Sequence, residues 1–137
     1  MNGHIKITEL DYTRLCNLIS VARSDKGVET KNIDTLGLEI KRAKKVRPQK
    51  ISPDIVTMNS KFEIIDTDTS KTMVFTLVYP ADSDFRNGKL SVFSPLGSAV
   101  IGYKTGDEVS FEVPRGTKKV IIGKVLYQPE ANGEYSI

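Results

Sequence analysis

The hydrophobic period of this chain changes once, across "RPQKISP" (residues 47–53), and that change limits most of what the chain can fold into. Upstream, apolar residues recur every three or four positions, the spacing of one helix face. Downstream they alternate, the spacing of a strand. Two architectures therefore follow one another in a single chain.

In the first stretch Thr8 can cap a helix, with Asp11 three residues later as a weak capping box. Leu15, Leu18, Ile19 and Ala22 then form an apolar stripe that stops near "SDKG", where Ser24, Asp25 and Gly27 favour a turn. A second helix is predicted from Ile33 or Asp34 to Val46, with Leu36, Ile40 and Ala43 on one face and Pro48 ending it. Gly37 weakens it by about 1 kcal/mol relative to alanine. Neither helix is long enough to stand alone, so the pair reads as a short antiparallel helical hairpin, a coiled-coil-like arm over about residues 1–50.

The second stretch reads as a sheet. "KFEII" and "TMVFTLVYP" flank the polar turn "DTDTSK", and Lys89–Phe93 is another short strand. In "EVSFEV", Val109, Phe111 and Val113 share one face and Glu108, Ser110 and Glu112 the other. "PRG" turns the chain into "KKVIIGKVLYQP", where Gly123 signals a bulge or a close backbone approach. Short connections imply antiparallel pairing. One helix interrupts the strands, with Ser94 as its cap, Pro95 at its first position, and Leu96, Ala99, Val100 and Tyr103 turned to the sheet. The expected fold class is α+β, with residues 1–50 as the arm and residues 51–137 as a sheet domain carrying one packed helix.

Composition excludes several functions. No apolar run reaches the ~18 residues of a membrane span, and "MNGHIKITEL" has no apolar core of a secretory signal, so a cytoplasmic chain is expected. Cys16 is the one cysteine and His4 the one histidine, which leaves no disulfide and argues against a metal centre or a thiol nucleophile; Cys16 reads as a buried structural thiol. No G-x-G-x-x-G or Walker-type loop occurs, and no cofactor is expected. The net charge of +3 divides unevenly: residues 1–50 carry 11 basic against 6 acidic side chains, residues 51–137 carry 9 against 11. "KRAKKVRPQK" (residues 41–50) concentrates Lys41, Arg42, Lys44, Lys45 and Arg47.

Four motifs carry a family resemblance: "SPDIVTMNS" (52–60), "TLVYPA" (76–81), "LSVFSPLGSAVIGYKTGD" (90–107) and "YQPEANGEY" (127–135). In order and together they resemble the Rnk family, the regulators of nucleoside diphosphate kinase, which is related to the C-terminal domain of the Gre transcript-cleavage factors. The resemblance implies an FKBP-like C-terminal domain, an N-terminal coiled-coil arm, and binding to bacterial RNA polymerase near its secondary channel. In the Gre relatives the loop carrying a Ser-Pro dipeptide docks on a coiled coil of the polymerase beta-prime subunit. Carried over, the partner-binding candidates are Phe93, Ser94, Pro95, Leu96 and Gly97. Phe93 stands where Gre factors often have an acidic residue, so an apolar contact replaces a charged one.

Transcript cleavage of the Gre kind needs paired carboxylates at the arm tip to hold a metal ion. The tip here has Asp25 and Glu29, separated by three residues that include Lys26, which is not the tight Gre pattern. About 15 residues per helix gives an arm of roughly 22 Å, well short of a Gre arm. A prolyl-isomerase site would need a densely aromatic cleft, and the chain has no tryptophan, five Phe and five Tyr. The expected function is thus a non-enzymatic regulator that binds polymerase and modulates transcription or competes with Gre-type factors. Two alternatives stay open: Gre-like cleavage, and DNA or RNA binding through the basic run. That run has no interleaved aromatic for base stacking, so it would contact phosphates nonspecifically or be the solvated end of a helix.

Overall fold

The computed structural model describes residues 5–24 and 31–135. Strand β1 (Lys6–Thr8) leads directly into helix α1 (Glu9–Arg23). Thr8 caps α1 as its sequence suggests, its hydroxyl accepting from the Asp11 N–H at 3.0 Å. Helix α2 (Lys31–Arg42) packs against α1 through Ile33, Leu36 and Ile40, all fully buried, which meet Leu15 and Ile19 in one cluster. Leu18 is only half-buried, and Cys16, predicted to be buried, is half-buried at the margin of the same cluster.

The second helix ends four residues earlier than its sequence predicts. Lys44–Val46 form strand β2, which pairs in parallel with β1 in the register Lys6↔Lys44, Ile7↔Lys45 and Thr8↔Val46. The apolar spacing through Ala43 is compatible with more helix. The Lys44 N–H instead donates to the Ile5 carbonyl at 2.9 Å, a partner that no local pattern reveals. A 3₁₀ turn, Pro48–Lys50, then delivers the chain to the sheet.

That sheet has five strands in the order β5-β4-β3-β7-β6, with β3 Lys61–Asp66, β4 Thr72–Val78, β5 Lys89–Ser91, β6 Glu108–Val113 and β7 Gly116–Tyr127. The pairs β3–β4, β3–β7 and β6–β7 are antiparallel. Strand β5 corrects the all-antiparallel expectation: it pairs with β4 in parallel, Thr76↔Lys89 to Val78↔Ser91. Two 3₁₀ turns, Pro80–Asp82 and Phe85–Asn87, carry the chain back before β5 begins. The bulge foreseen at Gly123 is present, since the β3–β7 register shifts between Phe62 and Ile64. A Cβ there would lie 2.9 Å from Cβ of Glu63, so only glycine lets the strands close.

Helix α3 (Pro95–Val100) lies between β5 and β6 and contacts both, as well as α2. It is shorter than predicted. Gly102, at φ 84°, ends the turn, and a Cβ at Gly102 would meet Ile5 at 3.0 Å. Phe62, Ile64, Leu77, Val100 and Ile122 are buried from the sheet side, and they share a single hydrophobic cluster with Ile7, Leu15, Leu36 and Ile40. The helices before residue 50 therefore close over the same core as the sheet. Among the described residues no helix is long and apolar enough to cross a membrane.

Candidate functional site

The Ser-Pro turn is fixed by its own backbone chemistry. Ser91 closes β5, and its carbonyl accepts twice from Ser94: from the N–H at 3.0 Å and from the hydroxyl at 2.6 Å. The Ser94 hydroxyl in turn accepts from the Gly97 N–H at 3.0 Å, which makes Ser94 the N-cap of α3. The Phe93 N–H donates to the Ser91 hydroxyl at 3.1 Å, and the Ser98 hydroxyl donates to the Pro95 carbonyl at 3.1 Å. Gly97 is held for a steric reason that sequence alone does not give: a Cβ there would sit 2.0 Å from the Ser91 carbonyl oxygen. Helix α3 can start this close to β5 only on a glycine.

The five predicted contact residues are contiguous but differ in exposure. Pro95 is exposed at the crest of the turn, Ser94 is half-buried, and Gly97 is buried beneath it. Phe93 and Leu96 are half-buried and pack against the core. The accessible feature is a proline crest on an apolar base, braced by serine hydrogen bonds. Pro95 also lines a groove of about 420 Å³ that runs between α2, α3 and β6.

The basic run is divided between the end of α2 and strand β2. Lys41 and Arg42 are exposed in the last turn of α2, and Arg42 pairs with Glu39 at 2.9 Å. Lys45 is used internally: its Nζ donates to the Lys41 carbonyl at 2.7 Å and lies 4.5 Å from the centre of the Tyr12 ring. Lys44 is exposed in β2 and Arg47 follows that strand. The parallel register adds Lys6 beside Lys44, a neighbour more than thirty residues away in sequence. Asp25 and Glu29, the predicted arm tip, lie outside the described residues. Among the described residues no group of three or more His, Cys, Asp or Glu side chains is arranged to hold a metal ion.

A second polar arrangement escaped sequence reading. Asp11, 2% exposed, accepts from the Met58 N–H at 3.1 Å and so ties α1 to the loop before β3. In that loop the Thr57 hydroxyl donates to Glu130 at 2.7 Å, and the Thr57 N–H donates to the Ser60 hydroxyl at 2.9 Å. Burial pushes the Asp11 carboxyl up to about 7; the Met58 N–H and Arg14 pull it down and Glu130 pushes it further up. Tyr79 is pushed up to about 12, by burial first and then by Asp11, with Arg14 acting against both. Downstream, the Gln128 side-chain amide donates to the Ser52 and Ile55 carbonyls at 2.8 Å each, anchoring the last described turn to the first residues after the helices.

The chain is similar to known proteins. The family described as "Transcription elongation factor, GreA/GreB, C-term" matches residues 50–127, the stretch that holds the sheet and the Ser-Pro turn. The regulator of nucleoside diphosphate kinase of Escherichia coli (strain K12) is 38% identical over 103 residues, 74% of this chain and 76% of that one. The transcription elongation factor GreA of Thermodesulfovibrio yellowstonii is 38% identical over 85 residues, 62% of this chain and 54% of that one. Among solved structures, a GreA/GreB elongation factor from Nitrosomonas europaea is 35% identical, superposes with a TM-score of 0.74, and covers 92% of this chain and 100% of its own.

Proposed function

The chain belongs to the family of the regulators of nucleoside diphosphate kinase, built on the GreA/GreB C-terminal domain, and on that premise we propose that it is a non-enzymatic, cytoplasmic regulator of transcription that binds bacterial RNA polymerase. In this reading residues 51–137 are an FKBP-like docking module. Residues 1–50 are a short coiled-coil arm that enters the rim of the secondary channel without reaching the metal. The contact on the polymerase is the beta-prime subunit, and occupancy of the rim modulates elongation or excludes Gre-type factors.

The observation that carries the reading is the Ser94-Pro95 turn. Pro95 stands exposed on a base fixed by Ser91, Ser94 and Gly97, so its position costs little ordering when a partner closes over it. Interface energy concentrates in such preorganised apolar anchors, and removing one typically costs about 1–3 kcal/mol, or tenfold to hundredfold in affinity. Pro95→Ala is the suitable change, because alanine is a good helix residue and Ser94 keeps its cap. Affinity for RNA polymerase should fall about tenfold or more while the thermal midpoint stays within a few degrees of wild type. Unchanged affinity in a folded variant would leave the turn as architecture alone.

A second reading rests on the Lys6–Lys44 pair, two exposed lysines in register on the β1–β2 ribbon. Contact with nucleic-acid phosphates there would weaken steeply with salt and would not depend on sequence. Retention on duplex DNA that survives at moderate salt, and is lost in Lys6→Gln/Lys44→Gln, would favour it.

A further inference from the structure

Three of the four sequence motifs meet at a place that the proline crest does not use. Thr57, Met58 and Ser60 come from 52–60, Tyr79 from 76–81 and Glu130 from 127–135, and they gather at Asp11 in the first turn of α1. The Met58 N–H donates to the Asp11 carboxyl at 3.1 Å, while the hydroxyl of Thr57, one residue back, donates to Glu130 at 2.7 Å. Two carboxyl groups from opposite ends of the chain are thus held by neighbouring residues. The loop that holds them is taut. Asn59 has φ 67°, in the left-handed region, and its N–H donates to the Leu77 carbonyl at 2.6 Å.

Charge at this junction does not balance. Glu130 of the last described turn and Arg14 of α1 itself are the charged groups that act on Asp11; Tyr79, at the end of β4, and the Thr8 hydroxyl complete its surroundings. The other charges packed on α1 lie elsewhere: Lys45 of β2 sits over the Tyr12 ring, and Asp34 of α2 pairs with Arg23. Two carboxylates against one guanidinium leave one negative charge over. Asp11, 2% exposed, is where water compensates it least, so a proton is held there. The raised value of its carboxyl, about 7, agrees with that count.

The side that can yield is the turn. Helix α1 is set into the core by Leu15 and Ile19, whereas Glu130 is half-buried and residues 131–135 are exposed. Gln128, bonded to the Ser52 and Ile55 carbonyls, fixes the near end. Beyond it, the Asn132 side-chain amide donates to the Gln128 carbonyl at 2.9 Å and the Glu134 N–H to the Pro129 carbonyl at 2.8 Å, which makes the turn one unit. We propose that Asp11 is a proton-operated latch for the Glu130–Asn132 turn: the neutral carboxyl lets Glu130 seat on Thr57, and loss of the proton to water sets two carboxylates against each other and swings the turn out about Gln128. The seated turn binds the proton more tightly than the open one, in which Asp11 is an ordinary carboxylate. Opening therefore grows as pH rises towards the seated value and levels off above it. The latch belongs to the chain by itself and does not rest on its reading as a polymerase-binding regulator.

Nuclear magnetic resonance of the full chain, with no partner added, tests it. The Asp11 carboxyl should titrate with a midpoint near 7, and the backbone signals of Glu130, Ala131 and Asn132 should shift with that same midpoint. Asp11→Asn is uncharged at every pH and keeps an acceptor for Met58, so the turn should stay seated and the shared transition should vanish. Glu130→Gln removes the opposing charge, and the Asp11 midpoint should fall towards the ordinary carboxylate range. An Asp11 midpoint already in that range in the wild type would overturn the latch. So would a midpoint near neutrality that the turn does not follow, or a turn transition that survives in Asp11→Asn. Should either variant fail to fold, the wild-type titration decides alone.

Discussion

Asp11 sits 2% exposed, and burial outweighs the Met58 N–H that it accepts from, so its carboxyl is raised to about 7. A folded-state value above the unfolded one means that the native protein binds a proton the unfolded chain releases. The resulting stability is fully present below the ordinary carboxylate value of 3.8 and is lost as pH rises through about 7. Asp66 has the opposite sign. Lys118, at 2.6 Å, holds its carboxyl below the usual range, so its contribution fails only in stronger acid. Between roughly pH 5 and 8 the Asp11 effect should therefore dominate: the thermal midpoint falls with rising pH, by an amount worth on the order of a few kcal/mol. Asp11→Asn keeps an acceptor for Met58 and should flatten that slope. A midpoint that rises over this range would show that the carboxylate is stabilised in the fold. Nothing in the sequence marks Asp11 for this, because a carboxylate three residues past a cap looks like capping chemistry; only the packing of the 57–60 loop over it creates the burial.

Helix α3 is six residues long, too short to hold together without its ends. Ser94→Ala removes both the acceptor for the Gly97 N–H and the donor to the Ser91 carbonyl, and it should cost about 0.5–2 kcal/mol in a denaturant titration, with the β-rich circular dichroism unchanged. A variant as stable as wild type would mean that Pro95 and the sheet fix this turn unaided. The elements with local signatures were legible: the caps at Thr8 and Ser94, the stripe from Leu15 to Ile19, the alternation of Glu108–Val113 and the bulge at Gly123. The two parallel pairings were not. An antiparallel hairpin writes itself into neighbouring residues, whereas β1–β2 and β4–β5 join strands whose partner is chosen by the path of the chain between them. The site divides in the same way. The proposed contact at Pro95 is drawn from a dipeptide and a cap, while the Lys6–Lys44 neighbourhood exists only once registers are set.

At the scale of the molecule, the proposed division at residue 50 separates roles rather than cores. Residues 51–137 contain all five strands of the main sheet, yet the Met58 N–H loses its acceptor, and Gly102 its contact with Ile5, when residues 1–50 are removed. A fragment of residues 51–137 should keep its β-rich spectrum and melt at a lower temperature than the full chain. Equal midpoints would show that the helices add nothing to the shared core; loss of the spectrum would refute the division. The β1–β2 ribbon has a further implication. It brings the two ends of the 9–43 stretch side by side, and the Arg23–Asp34 ion pair, at 3.0 Å, ties that stretch together again near its far end. Its reach is thus an independent variable: residues could be gained or lost there, each adding about 1.5 Å if helical, without shifting the frame that carries the proline crest.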